Sequence, residues 1–379
     1  MGHSNYTVCL YDEERSEALR KIVQFFWPSD SVFRPESTLQ AKDRPEGRPP
    51  TFLFLKDEEA IGHISTIPVR VSCGSCIAPA YWVVGFMVLP DHRNGMVGPL
   101  LIKKVNETLD LAMTLHVEDN VLRIFKGLGW KHLGLIPQYV RILHPSRLLN
   151  NLQIKRMSFL SSHRRALGRY VRSIAGHPVT RWAVAGAYSA GLNIWLAANQ
   201  LRLKRGHGDV LEEKEFDPGY DELWKRVGPK FEALIVRDRA YLVFRYGRQM
   251  HKYRLLACRQ NDCLLGYCIL KIKSFSKDAR MGNARIGTIV DCLFDPSDLT
   301  ALQSLIDGAV RLCETEGVEA IFCTASYLPL QRRLAVNGFI KLPGNLNFAY
   351  RDRLNTLSTE VPLDSWHLMR GDSDAASNF

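Results

Sequence analysis

The sequence is short of the features that mark several classes of protein. No apolar core follows a basic region at Met1-Gly2-His3-Ser4-Asn5-Tyr6, so no secretory leader is expected. Nine cysteines, an odd number without a repeated spacing, do not compose a disulfide framework, and a reducing cytoplasm is the expected compartment. Cys73-Gly74-Ser75-Cys76 has no second pair or His-x-x-x-His to complete a zinc site, so no metal is expected. Cysteine-histidine and serine-histidine arrangements suited to a covalent enzyme intermediate are missing. So are the interleaved aromatic and basic residues and the zinc-finger spacings of nucleic-acid binders, and no nucleic-acid partner is expected.

What remains is the composition of an ordinary globular protein. The 379 residues are 46% apolar and 23% charged, with 27 Gly and 18 Pro, a length that suits two domains. Fifty Lys+Arg against 39 Asp+Glu leave a formal charge of +11, which suggests a polyanionic partner without saying which.

From Tyr6 to about Leu143 the apolar pattern alternates between strand and helix periods, an α/β or α+β arrangement. It predicts a strand at 7–11, a helix over 13–26, a hairpin of 51–55 with 60–66 turning at Asp57-Glu58-Glu59, and a strand at 81–88. A helix from about 99 to 111, a strand at 115–117, a helix over 120–128 and a strand at 139–143 complete it. A similar order recurs from about Phe216 to Arg353: strands at 253–258, 264–270 and 286–294, a helix over 299–314, a strand at 320–323 and a helix over 328–337. The ending Gly338-Phe339 matches Gly129-Trp130, and two copies of one fold is the economical reading.

A basic segment separates the copies. Lys155 to Arg205 holds ten Lys+Arg and no acidic residue, and its middle, Trp182 to Ala198, is uncharged. That middle is marginally short for a bilayer span of about 20 apolar residues. Two readings stay open: a linker helix packed on both copies, or an interfacial helix with Trp182 and Trp195 at headgroup depth and arginines on anionic lipid.

The most informative stretch is Leu89-Pro90-Asp91-His92-Arg93-Asn94-Gly95-Met96-Val97-Gly98-Pro99-Leu100-Leu101. A strand ends, the chain turns, and a helix begins with its unpaired N–H groups and positive dipole end facing the loop, which suits a pyrophosphate. Pro99 fits the first helical turn, and Arg93 adds a charge-assisted contact.

Arg93-Asn94-Gly95-Met96-Val97-Gly98 resembles motif A of the GNAT N-acyltransferase superfamily, Arg/Gln-x-x-Gly-x-Gly/Ala. Asn120-Val121-Leu122-Arg123-Ile124-Phe125-Lys126-Gly127-Leu128-Gly129-Trp130 is similar to the family's Asn-x-x-Ala-x-x-Phe-Tyr-x-x-Leu-Gly-Phe ending. Met96 departs from the first glycine, and Phe125 stands where a tyrosine often protonates the leaving thiolate. The resemblance implies two tandem GNAT-like domains, each a mixed, mostly antiparallel sheet flanked by helices: 1–145 for acyl-CoA, 146–215 as a basic helical connector, 216–355 as a degenerate copy on the acceptor side, and 356–379 as a tail. It further implies acyl-CoA, acetyl or longer, as co-substrate. Phe86, Met87 and Val88 would pair with the pantetheine amides, Arg93, Asn94, Gly95, Met96, Val97 and Gly98 would hold the pyrophosphate, and Asn120 would lie at the cofactor. A backbone N–H near Val88 would then polarise the thioester carbonyl.

For the base that takes the acceptor's proton, the candidates are His116 and Glu118, with His92 and His63 weaker. His116 equally reads as a polar-rim histidine, and Glu118 and Asp119, with Asn120, as the start of the next helix. In the second copy the corresponding loop, Asp295-Pro296-Ser297-Asp298-Leu299, has two carboxylates and no glycine, so no CoA is expected there. Arg237-Asp238-Arg239-Ala240-Tyr241-Leu242-Val243-Phe244-Arg245-Tyr246 resembles a segment of tandem acyltransferases of polysaccharide biosynthesis. By that resemblance Arg237, Arg245 and Tyr246 would hold a phosphorylated amino-sugar acceptor; as bare residues, the arginines equally brace the two domains.

The resulting expectation is direct acyl transfer from acyl-CoA to the amine of a nucleotide-linked or lipid-linked amino sugar, for bacterial surface polysaccharide assembly. It would take place in the cytoplasm, or at the inner face of the membrane if residues 155–205 touch it. The competing readings are a Fem-like aminoacyl-tRNA-dependent transferase and a non-catalytic protein that binds a membrane surface.

Overall fold

The computed structural model describes residues 5–26, 49–74, 76–151, 178–200, 206, 208–357 and 360–374. The first half runs β1 (Tyr6–Leu10), α1 (Ser16–Phe26), β2 (Phe52–Lys56), β3 (Glu59–Cys73), β4 (Cys76–Val88), α2 (Val97–Thr108), β5 (Leu111–Thr114), α3 (Asp119–Gly127) and β6 (Lys131–Ile142). Two helices follow, α4 (Pro145–Asn151) and α5 (Pro178–Gln200). The second half runs β7 (Asp209–Glu213), α6 (Gly219–Val227), β8 (Ala233–Ile235), α7 (Arg239–Tyr246), β9 (Tyr253–Gln260), β10 (Cys263–Ser274), β11 (Arg285–Phe294), α8 (Thr300–Thr315), β12 (Ala320–Thr324), α9 (Leu328–Val336) and β13 (Ile340–Asp352), with β14 (Trp366–His367) near the end.

Local chemistry explains the boundaries. The hairpins β2–β3 and β9–β10 both turn through two residues at positive φ, Asp57-Glu58 and Asn261-Asp262, the backbone twist that two-residue hairpin loops require. Asp12 ends the chain's extended entry by accepting from the Arg15 N–H, which starts a short 3-10 turn before α1. The strand expected at 115–117 lies one element earlier, at Leu111–Thr114, where all four residues are buried and no alternation marks the strand. The closing strand expected at 139–143 begins instead at Lys131, because β6 is paired along both edges.

All fourteen strands form one sheet, with the main path β1-β2-β3-β4-β5-β13-β6-β12-β11-β10-β9-β7. Reading this order from either end gives the same succession of equivalent strands, except that the two final strands have changed places. β13, from the second half, pairs with β5 of the first (Tyr350↔Met113, Ala349↔Thr114). β6, from the first half, pairs with β12 of the second (Cys323↔Tyr139, Ile321↔Arg141). β6 and β13 then pair with each other at the centre. Each half is completed by a strand of the other, and one large apolar core runs through both, joining Trp82 and Met113 to Phe348, Ile321 and Trp366.

The expected tail at 356–379 is corrected for its described residues, which pack into the fold. β14 pairs in parallel with β8, which pairs in turn with β3, and Trp366, Leu368, Met369, Arg370 and Asp372 are buried. The reason is aromatic: Trp366 packs its ring 5.1 Å from that of Phe348 on the exchanged strand. A chain ending at residue 151 leaves the edge of β5 without β13, so it is expected to show no cooperative urea unfolding by circular dichroism. Mixing it with a fragment that starts at 178 should restore one transition.

Candidate active site

The site begins with an irregularity in β4. Its register against β3 slips between the pairs Ser65↔Val84 and His63↔Met87, leaving Gly85 and Phe86 as a bulge with Gly85 at φ +59. His63, fully buried, fixes it: Nδ1 donates to the Gly85 carbonyl at 3.0 Å, and Nε2 accepts from Ser65 Oγ at 2.9 Å. Burial pushes the His63 imidazole down to about 4, so it stays neutral in the one tautomer that serves both bonds. His63 is therefore a brace for the strand and not a base.

β4 and β5 part just before the bulge. They pair only at Tyr81↔Ala112 and Trp82↔Met113, and among the described residues nothing bridges β4 to the chain after Thr114. Phe86, Met87 and Val88 line one side of this gap and residues 115–118 the other. Leu89 donates to Ile61 on β3, so by strand alternation the Val88 N–H turns away from β3, toward the gap. His116, Glu118, Asp119 and Asn120 are exposed on the far side. Glu118 occupies the N-cap of α3 without a side-chain bond to it, and Asn120 accepts from Arg123.

The loop from Leu89 to Met96 leads into α2, which has no side-chain cap and no acidic residue in its first turn. Its N-terminal N–H groups keep their donors, and the dipole favours an anion there. Arg93 stands in the loop that leads into this end, its Nε on the Val88 carbonyl at 3.0 Å and its guanidinium 5.9 Å from the Phe26 ring. Met96 is exposed, pointing away from the strand, while Gly98 is buried against Phe86: a Cβ on Gly98 would stand 3.1 Å from that ring. Phe125 is wedged between Phe86 and Trp130, fully buried.

The equivalent place in the second half is filled. Between β11 and the chain after β12 runs the C-terminal segment: Met369 bridges Ala325, Ser326 N–H donates to the Leu368 carbonyl at 3.1 Å, and His367 Nε2 donates to the Cys292 carbonyl at 2.8 Å. The start of α8 already holds a carboxylate, since Asp298 accepts from the Thr300 N–H at 3.1 Å. Asp295 pairs with Lys230.

The arginines expected to grip an acceptor are corrected here. Arg237 is fully buried, with Nε 2.8 Å from Asp291 and Nη2 2.8 Å from Asp372, and Nη1 donating to the Ile235 carbonyl. Tyr246 is buried as well, its hydroxyl on Asp291 at 3.1 Å. Neither reaches a ligand; a buried cation needs its carboxylates, and these two come from β11 and from the C-terminal segment. Arg245 is half-buried and its Nε holds the Gly371 carbonyl at 2.8 Å, so it braces the same segment. Burial pushes the Asp374 carboxyl up, while Arg245 and His116 both pull it down, which puts it in the field of each.

One contributor was not visible as a site residue. Asn347, on the exchanged strand β13, donates to the Val117 carbonyl at 3.1 Å and holds the far side of the gap in place. No local pattern marks it, because the strand exchange brings it there. Among the described residues no group of three His, Cys, Asp or Glu is placed to hold a metal.

No family model matches the chain, and no curated protein does. Among solved structures it is similar to a GCN5-related N-acetyltransferase from Anabaena variabilis, with 12% identity, a TM-score of 0.59, and 92% of this chain covered against 73% of that one. It is similar to Saccharomyces cerevisiae N-myristoyltransferase with bound myristoyl-CoA at 14% identity and TM-score 0.53, over 92% of this chain and 79% of that one. A GCN5-related glucosamine N-acetyltransferase region of a fungal multi-domain GH3 β-N-acetylglucosaminidase matches at 11% identity and TM-score 0.50, over 92% of this chain and 38% of that one. The protein thus has the fold of the GCN5-related N-acetyltransferases, a mixed sheet flanked by helices.

Two predictions test this geometry. Between pH 6.5 and about 4 the unfolded chain protonates at position 63 while folded His63 stays neutral, so stability falls as pH is lowered through that window, by about 3 kcal/mol in full. Urea midpoints of His63→Gln should change less across that range than those of the native protein; His367, pushed down to about 3 by burial, contributes equally to both. Arg237→Met leaves Asp291 and Asp372 buried without their cation, and is expected to cost about 3–5 kcal/mol in the same measurement.

Proposed function

We propose that the protein is an acyl-CoA-dependent N-acyltransferase with one catalytic centre, in the first half. The observation that carries this reading is the asymmetry of the two gaps. The gap beside β4 is open next to an uncapped helix N-terminus, and the one beside β11 is closed by the chain's own C-terminal segment.

The residues present fit an acyl-CoA. The start of α2 and Arg93 offer donors and positive charge to a pyrophosphate, and the bulged edge of β4 offers backbone groups to the pantetheine amides. The Val88 N–H would donate to the thioester oxygen as it gains charge. His116, directly or through water, would take the proton of the acceptor amine as its nitrogen attacks the carbonyl carbon. The C–S bond then breaks, and CoA leaves with its electron pair on sulfur. Phe125 supplies no proton from its buried position, so the thiolate takes one from solvent. No covalent enzyme intermediate is required, and positioning of the two substrates supplies much of the rate.

For the acceptor, the reading is an amino sugar, linked to a nucleotide or a lipid and used in surface polysaccharide assembly. Its support is the sequence resemblance of residues 237–246 and the likeness to a region named as a glucosamine N-acetyltransferase. With Arg237 and Tyr246 committed to the interior, the acceptor would be recognised at the exposed rim that carries His116 and Glu118.

Calorimetric titration with acetyl-CoA and longer acyl-CoAs is expected to give one site per chain. Arg93→Ala should weaken binding by about tenfold, and Gly98→Asp, which sets a carboxylate and added bulk at the start of α2, should abolish it. In turnover with an amino-sugar acceptor, His116→Gln should lower kcat/KM by about a hundredfold. Absence of binding to every acyl-CoA overturns the reading, and near-native rates in His116→Gln overturn the assigned base.

A further inference from the structure

The helix α5 carries a surface that acyl transfer does not use. It is 23 residues long, about 35 Å, and its inner side is docked on the end of β6 and on α9 with the turn after it. Ala185 and Asn199 are buried, the Tyr188 hydroxyl accepts from the Ile142 N–H at 3.3 Å, and Trp195 Nε1 donates to the Ala335 carbonyl at 3.1 Å. Leu192 rests on Gly338, where a Cβ would stand 2.4 Å from it.

The outer side is as apolar as the inner. Ala183, Val184, Ala187, Ala190, Gly191, Ile194, Ala197 and Ala198 are exposed, with Asn193 the polar residue among them and no charge from Trp182 to Ala198. Trp182 is 76% exposed, Ile194 71% and Val184 42%. A helix apolar on all sides is ordinarily covered on all sides. Among the described residues, no helix is long and apolar enough to cross a membrane.

The charge of the chain around α5 selects what covers it. Residues 155–205 hold ten Lys+Arg and no Asp or Glu. A second copy would add a second stretch of the same charge with no counter-charge of its own. A nucleic acid would match the charge but offer no apolar surface to Ile194 and Val184. An anionic lipid surface matches both the charge of the segment and the apolar face of the helix. We propose that the outer face of α5 docks the protein on an anionic membrane surface, with Val184 and Ile194 inserted; Trp195, whose indole N–H is held by Ala335, stays with the protein.

The test is co-sedimentation of the full chain with vesicles of phosphatidylcholine, with and without phosphatidylglycerol. Binding is expected to the phosphatidylglycerol vesicles, weakened by salt. The variant V184E/I194E, altered only at exposed positions and checked for native thermal unfolding, is expected to bind at least about tenfold more weakly. Ala187→Glu, a smaller change on the same face, should lie between. Equal binding by the native protein and V184E/I194E overturns the proposal, because the basic segment then acts without the helix face. Failure of the native protein to bind overturns it too; if analytical ultracentrifugation then shows dimers that V184E/I194E dissociates, the face belongs to a second copy. Acyl-CoA binding by calorimetry is independent of each outcome, so the two proposals fail separately.

Discussion

The exchange of final strands is the constraint on which the rest of the molecule depends. β13 closes the edge of β5 and β6 closes the edge of β12, so the sheet is continuous and the two halves share a core. A strand edge inside a core is costly unless its N–H and C=O groups are paired, and here every pairing at the centre joins one half to the other. The exchange also places Asn347 on the carbonyl of Val117, so the far wall of the open gap is set by the second half. The second half is thus a structural part of the site even though its own gap is closed.

The closure is chemically thorough. A chain segment supplies the hydrogen bonds that a ligand's backbone-like amides would otherwise make with β11 and Ala325-Ser326, and Asp298 supplies the anion at the start of α8. Arg237 anchors that segment through Asp372 while Asp291 holds it from β11. Such a buried trio contributes little net stability when complete, but its geometry has few alternatives: removing any member strands the others away from water. It locks the described part of the C-terminal segment to one path.

The sequence made much of the fold legible. Hydrophobic periodicity, the two hairpin turns and the strand-loop-helix at 89–101 are local, and the structure has β2–β3, β4, α2, α3, α8 and α9 close to where the pattern places them. Element edges went astray where both faces are buried, as at β5, because alternation vanishes there. His63 read as a weak base candidate, and its buried position on a central strand makes it a brace. Arg237 and Tyr246 read as ligand-holding residues; a motif cannot show that the two carboxylates on Arg237 lie 54 and 135 residues away, or that the one on Tyr246 lies 45 away.

By itself the sequence determined the order of elements, the uncapped glycine-containing start of α2 beside Arg93, the acidic and therefore unsuitable loop of the second half, and the uncharged helix in a basic segment. All of these rest on interactions within a few residues or on charge, which a linear string records. The tertiary structure alone decided that the final strands change places, that the C-terminal segment fills one of the two gaps, and which arginines are buried. Those outcomes depend on which edges and which charges meet across long separations, and the free energy that selects them comes from burial and pairing in a core that exists only once both halves are folded together.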